Sequence, residues 1–483
     1  MLSAGLFAAC GTPGVRGVAG TAPAPNVLWT PPRAAPTGSG ADAGALVLPP
    51  NLATRIAQLQ LADVIDLALR NNTATSAAWA DARAAAASYG AAKGQYYPTI
   101  ALSGAAQTLK TAPSTTPSSV TRQFYGATLT GSWLLFDFGG RSGSVGVARE
   151  ALLAADWLHN ATLQNVVLVV EQAYFLYLGT KALLTAQQAT LQDAQTNLEA
   201  AEQRHKVGLA TIADVLQSRT ALSQARLALE ATQGQLQSTR GALALSMGLP
   251  ANLPYDIEVR PDTSLPPPGI VEDADSLIGR AVRERPDLAA QRALAEQARA
   301  RVSVARSQAL PSLSVGGNTG ETSFYSDSGK SFGPYRNSYS ATLTLSFPLF
   351  SGGSQFYNVQ AASAAAEAAA RRAQGFEQQV IYEVFNAYYA LRTATQQVRT
   401  SRDLLASATE SEQVALARYK AGAGSLLDLL TAQAALAGAR AQAIQARFSW
   451  NTALAQLGHD VGILGLDGKS PLRLQTDTTG TNK

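Results

Sequence analysis

The chain has 483 residues, room for two or three ordinary domains, with 46% hydrophobic residues but only 15% charged ones, a low share for a soluble protein. A formal net charge of +4, without any basic run interleaved with aromatics, excludes an extended nucleic-acid surface. One cysteine and three scattered histidines, His159, His205 and His459, exclude a disulfide framework, a cysteine-based zinc cluster and an HExxH site, so neither metal nor cofactor nor catalysis is expected.

At the start, Leu6-Phe7-Ala8-Ala9-Cys10-Gly11 resembles a bacterial lipoprotein cleavage box, in which the cysteine becomes an acylated first residue. This reading assigns residues 1–10 to a signal and Cys10 to lipidation. The stretch before Cys10 is too short for a basic region plus an apolar one, which places the true start upstream. An ordinary small hydrophobe near a chain end is the alternative. Residues 11–52 are rich in Gly, Pro, Ala and Thr without periodicity and read as an extended tether.

A first structural unit follows over 53–250. It opens with a helical stretch of about 40 residues interrupted near Asn71-Asn72. Alternation at period two predicts strands over 97–110 and 122–137. After Gly139-Gly140 the pattern is helical over 141–207, without proline, and again over 209–248. Prolines interrupt regular structure in a linker over 251–276. The second unit, 277–460, repeats the order: a helical stretch broken at Pro286, strands over 310–320 and 337–350, helices over 354–421 and 425–457. Residues 461–483 form a tail.

The two units are copies. YGATLTGSWLLFDFGG (125–140) matches YSATLTLSFPLFSGG (339–353), and Val170 with Ala173-Tyr174 matches Val384 with Ala387-Tyr388. RHKVGLATIADVL (204–216) matches RYKAGAGSLLDLL (418–430), about 214 positions on. Landmarks in one order at a nearly constant offset mean duplication. Each long helix spans roughly 100 Å and survives only by pairing lengthwise. The pattern predicts an antiparallel pair in each copy, one side continuous and the other made of two stacked helices.

Four strands cannot close a barrel, and open edges are not tolerated in hydrocarbon. Several chains must therefore build one barrel, and three would give twelve strands. Aromatics at the strand ends, Tyr96, Tyr97, Trp133, Phe136, Phe347 and Phe350, suit interfacial girdles; packing in an aromatic core is the alternative. No run of eighteen apolar residues occurs, which excludes a transmembrane helix.

Together the duplicated halves, the Leu-Phe…Gly-Gly strand ends, Val-x2-Ala-Tyr and the repeated Arg-x-Lys-x-Gly…Asp-x-Leu resemble the TolC-like outer membrane efflux proteins, over about residues 55–460. The resemblance implies an α+β membrane protein: a homotrimeric twelve-stranded β-barrel, four strands per chain, continued by a long α-helical periplasmic barrel. It implies a passive channel in the outer membrane, lipid-anchored, without catalysis, in a tripartite pump with a periplasmic membrane-fusion adaptor and an inner-membrane transporter of the RND type. By the same resemblance Gly208 and Gly422 mark the periplasmic turns. Val207, Gly208, Leu209 and Thr211, with Gly422 and Gly424, form the tips that receive the adaptor, and Tyr419, Asp428 and Thr431 form the gate. Gly424 stands where some members carry an arginine, and Thr431 where some carry an aspartate. Asp428 could equally be a helix N-terminal carboxylate favoured by the dipole, the role assigned to Asp214. The alternative function is a periplasmic adaptor or coiled-coil scaffold.

Overall fold

The computed structural model describes residues 21–22, 24–30, 60–111, 120–253, 255–257, 272–326, 331–332 and 336–464. Cys10, most of 11–52 and the tail beyond 464 lie outside these. In chain order the elements are α1 (Leu61–Asn71), α2 (Thr73–Gly94), β1 (Thr99–Thr111), β2 (Val120–Phe136), α3 (Gly140–Lys206), α4 (Ile212–Ser246), α5 (Ala274–Glu284), α6 (Pro286–Ser307), β3 (Ser312–Ser326), β4 (Ser331–Phe332), β5 (Arg336–Ser346), α7 (Ser354–Lys420) and α8 (Leu426–Val461). The two long helices, α3 and α7, have 67 residues each. Strand β5 stops at Ser346, short of the 350 expected, because Pro348 cannot donate to a ladder.

The chain divides into two compact units, each drawn from both copies rather than one copy apiece. One takes residues 82–155 and 290–374; the other takes 22–81, 156–289 and the chain from Gly375 onward. In the first unit all strands form one antiparallel sheet in the order β1-β2-β3-β5, with the two-residue β4 against the end of β3. Strand β1 pairs β2 without interruption from Thr99↔Ser132 to Thr111↔Val120. Among the described residues the outer edges of β1 and β5 have no ladder partner. Beside the sheet, the first turns of α3 lie on α6 of the other copy. Glycines at every third residue allow this: a Cβ on Gly143 would stand 2.9 Å from Val304 Cγ2, and one on Gly146 3.6 Å from the Ala300 Cβ.

The second unit has two main cores, one around each copy, the first also taking in Ala455 and Leu464 from the second copy. Val64, Ile65 and Ala68 of α1 pack with Leu163, Val167 and Val170 of α3 and with Leu243 and Met247 around the end of α4. Leu277 and Ala281 of α5 pack with Val380, Val384 and Leu391 of α7 and with Leu457 and Val461 of α8. Further along, Ala194 of α3 packs against Leu222 and Ala225 of α4. The break between each pair of short helices abuts the end of the returning helix. Gly248 (φ +73°) has room for no Cβ, which would lie 2.6 Å from the Asn71 carbonyl oxygen; Gly462 (φ +82°) presses on Arg285. Asn72 Nδ2 donates to the Ser246 carbonyl at 3.2 Å, and Arg285 Nη1 to the Asp460 carbonyl at 3.4 Å. Two different side chains thus satisfy carbonyls at equivalent helix ends, which a buried terminus requires.

Part of the expected tether is not extended away from the fold. Residues 22 and 24–30 dock beside α3: Asn160 receives the Trp29 N–H and donates to the Trp29 carbonyl, both at 2.7 Å. Trp79 Nε1 donates to the Ala22 carbonyl at 2.8 Å, and Trp29 meets Trp157 edge to face at 5.1 Å. Gly/Pro-rich sequence conceals such docking because backbone groups and two indoles, not periodicity, make the contacts.

Helix α3 also contains an 18-residue window of mean hydropathy 1.3, long and apolar enough by composition to cross a membrane. The expectation that composition excludes such a helix therefore fails here. Leu163, Val166, Val167 and Val170 of α3 lie in the core described above, together with buried Asp156, Gln164 and Glu171 on the same helix.

Asp156 is fully buried and neither carboxylate oxygen has a hydrogen-bond partner. Burial pushes its carboxyl up to about 8, and that of Glu171 up to about 7. A folded value above the unfolded one stabilises the fold at low pH, and the contribution is lost as pH rises through the folded value. Stability of the helical unit is therefore expected to fall between pH 4 and 8. Asp156→Asn should flatten that slope and raise the melting temperature at pH 8 while leaving it unchanged at pH 4, as followed by circular dichroism. An unchanged slope would place the charge elsewhere.

Candidate functional site

The first feature is the sheet. Alternate residues of a strand face opposite sides, and the register sorts this sheet into two chemistries. One face carries Ile100 and Leu102 of β1, Leu129 and Trp133 of β2, Val315 of β3, and Tyr339, Leu343 and Leu345 of β5. Leu102 is 75% exposed and Leu345 70%, so this apolar face is left uncovered by the chain. The opposite face carries Ser103, Thr128, Thr130, Ser132, Asn318 and Thr344. Thr99 and Ser132 share a hydrogen bond of 2.7 Å on it, and Ser103 Oγ donates to the Thr128 carbonyl. A bulge between Leu134 and Phe136 sets Phe136 opposite Leu313, on the apolar face. Without that extra residue Phe136 would point to the polar side.

The aromatics singled out in the sequence gather at the strand ends, and none is packed into a core of this chain. Tyr96, Tyr97, Trp133, Phe136, Phe347 and Phe350 are all exposed, Phe350 the most. Trp133 Nε1 donates to the Tyr96 carbonyl at 3.0 Å, and the Arg141 guanidinium lies over the Tyr96 ring.

The second feature is the pair of turns after the long helices, which are built alike. Gly208 and Gly422 both adopt φ +74°, a conformation that costs glycine nothing and other residues about a kcal/mol or more. Leu209 N–H returns to the Arg204 carbonyl at 2.8 Å, and Ala423 N–H to the Arg418 carbonyl at 2.9 Å, satisfying the last carbonyls of each helix. The next helix then starts with a reciprocal cap. Asp214 N–H donates to Thr211 Oγ1 while Thr211 N–H donates to Asp214 Oδ2. Ser425 and Asp428 do the same at 3.2 Å each way. Hydrogen bonds from the Ser425 side chain and backbone hold the Asp428 carboxyl below its usual range, so it is ionised at neutral pH.

Of the other predicted tip residues, Val207 and Leu209 are about 70% exposed. Thr431 is exposed and its hydroxyl returns to the Leu427 carbonyl at 2.8 Å. Gly424 lies so close to its neighbours that a Cβ would stand 3.1 Å from Arg418 Cβ. Tyr419 is half-buried, beneath the guanidinium of Arg204. Arg204 is the residue the sequence reading passed over. Its signal was the arginine standing at the same place in both copies of Arg-x-Lys-x-Gly.

The histidines hold structural contacts: His159 with the Val27 carbonyl, His205 with the Ala210 carbonyl, His459 with Asp460 and Asn165. A cleft of about 540 Å³ lies beside His459, lined among others by Arg285, Asp287, Tyr382 and Glu383. The sheet by itself offers an uncovered apolar face and a polar one, as a wall between lipid and water does, and each turn by itself is a capped helical hairpin.

Comparison with known proteins adds independent observations. The family model described as outer membrane efflux protein matches residues 64–249 and again 277–462, once per copy. The chain is 31% identical over 466 residues to protein CyaE of Bordetella pertussis, covering 94% of each. It is 26% identical over 407 residues to the probable efflux pump outer membrane protein TtgC of Pseudomonas putida, covering 83% of this chain and 82% of that one. A solved membrane protein from Pseudomonas aeruginosa superposes with TM-score 0.75 at 25% identity, over 89% of this chain and 100% of that one.

Proposed function

The chain belongs to the outer membrane efflux protein family, and from that premise we propose that it is a channel for small molecules, opened at its helix tips by a periplasmic adaptor. It resides in the outer membrane and extends into the periplasm as a component of an efflux system. The observation that carries the channel reading is the sheet: one exposed apolar face, one Ser/Thr face, and, among the described residues, two edges without a ladder partner. Hydrocarbon does not tolerate unpaired edge amides. Three copies joined edge to edge, β5 of one against β1 of the next, form a trimeric twelve-stranded barrel with lipid outside and water inside.

Transport through such a pore is downhill, and its energy comes from an inner-membrane transporter, here proposed to be of the RND type. Similarity to the probable efflux pump protein of Pseudomonas putida supports small molecules as cargo. Exposed Val207 and Leu209, with Gly208, Thr211, Gly422 and Gly424, support the tips as the adaptor's seat. Cys10 is proposed to carry the lipid anchor. Extraction from outer membranes should yield a heat-labile trimer that conducts ions across planar bilayers. A soluble monomer without β signal would refute the channel.

Tyr419, Asp428 and Thr431 are proposed to line the closed tip. Threefold repetition makes Asp428 a ring of three carboxylates, which attracts cations and repels anions. Asp428 also caps its helix, and both roles use the ionised form. Asp428→Asn is expected to relieve blockade by divalent cations at least several-fold, since an amide keeps an oxygen for the helix cap but removes the charge. Unchanged blockade and conductance would remove Asp428 from the gate.

A further inference from the structure

The cleft of about 540 Å³ beside His459 has the size of a small-molecule site. Its walls carry one guanidinium, Arg285, against three carboxylates, Asp287, Glu383 and Asp460, so it is negative whichever charge His459 holds. Arg285 and Asp460 are both buried. Gln456 Nε2 and His459 Nδ1 each meet Asp460 at Oδ1, 2.9 Å away, which leaves Oδ2 unengaged among the described residues. Tyr382 and Phe376 supply aromatic wall, and Tyr382 is largely exposed.

The fold does not require these charges, because the first copy builds the same helix junction without them. Asn72 stands where the second copy has Arg285. Ala74, Val169 and Ser246 stand where it has Asp287, Glu383 and Asp460, and Leu168 stands where it has Tyr382. Both junctions close alike, with Gly248 against Asn71 and Gly462 against Arg285. Buried ion pairs are often no more stabilising than apolar side chains of similar volume. A charged version in one copy alone therefore points to a ligand rather than to stability.

We propose that this cleft binds a small organic cation bearing an apolar ring. The ammonium donates to Asp460 Oδ2 within the ring of carboxylates, and the apolar ring lies against Tyr382 and Phe376. Among the described residues no cluster of His, Cys, Asp and Glu has the make-up of a metal site, which favours an organic cation over a bare metal ion. As a station for cargo the site rests on the small-molecule channel reading above and adds the charge of the molecule held; as a cation site it stands on the cleft alone.

The test is ethidium, a planar aromatic cation, titrated into purified trimers and followed by fluorescence anisotropy, with assembly checked by heat-dependent gel migration. Saturable binding is expected, weakening as salt rises because the cleft is open to solvent. Tyr382→Ala should weaken it about fivefold through the lost ring contact, and Glu383→Gln about tenfold through the lost charge. Phe385→Ala, which removes an exposed ring of the same helix outside the cleft, should change nothing. The anionic dye 1-anilinonaphthalene-8-sulfonate should not compete. Intact trimers without saturable ethidium binding would overturn the site, as when a neighbouring chain fills the cleft, and ion conduction by those trimers would leave the channel reading standing. Wild-type affinity in Tyr382→Ala, or competition by the anionic dye, would overturn the site as well. Tyr382→Ala decides the matter alone if Glu383→Gln fails to assemble.

Discussion

Arg285→Ala is expected to lower the stability of the helical unit by about 3 kcal/mol, near the lower end for breaking a buried ion pair. Arg285 is 5% exposed and sits where α5 ends and α6 begins. Nη2 meets Asp287 Oδ2 at 2.6 Å and Nη1 meets Glu383 Oε2 at 2.6 Å. Burial pulls the guanidinium down, but the two carboxylates more than offset it and hold its proton more tightly than usual. The alanine variant leaves Asp287 and Glu383 facing each other and the Asp460 carbonyl without its donor. The low end of the range applies because both carboxylates border the cleft and keep some water. In the first copy Asn72 does the equivalent job with a neutral amide, so Asn72→Ala should cost only about 1 kcal/mol. Urea denaturation of the two variants side by side checks the ordering; equal losses would mean that the ion pairs contribute nothing beyond the carbonyl contact.

Leu129→Arg and Thr130→Arg, one residue apart, are expected to have opposite consequences. Leu129 lies on the apolar face and Thr130 on the Ser/Thr face. A guanidinium turned toward lipid near mid-membrane costs about 2–4 kcal/mol, enough to deplete the trimer in outer membranes. The same group turned toward water should be tolerated and should shift ion selectivity toward anions. Trimer yield on gels and reversal potentials in a salt gradient separate the two. If both variants assemble equally well, the face assignment is wrong.

Much of this architecture was legible along the chain. Period-two alternation in β1, β2 and β5 marked the strands, because a half-lipid, half-water sheet must alternate. Gly208 and Gly422 marked the turns, because a left-handed residue closing a long helix favours glycine. Asn72 and Pro286 marked the paired breaks, proline being unable to continue a helix inward. Cap pairs such as Thr211 with Asp214 are spaced by the geometry of a first helical turn. Each of these is a local preference, set within a few residues and repeated by the duplication at a constant offset.

Other features have no local signature. The bulge that returns Phe136 to the apolar face depends on where β3 lies beside β2. The docking of Trp29 depends on Asn160 being presented by α3, and the cost of burying Asp156 on what covers it. Arg204 and Arg418 read identically in the sequence, yet only Arg204 reaches a ring, 215 residues away. The sequence by itself determined the elements, their duplication and the turns, because backbone sterics and hydrogen-bond closure act over a few residues. Tertiary structure alone decided which of two equal arginines found a partner, because that contact exists only once separate helices have become neighbours.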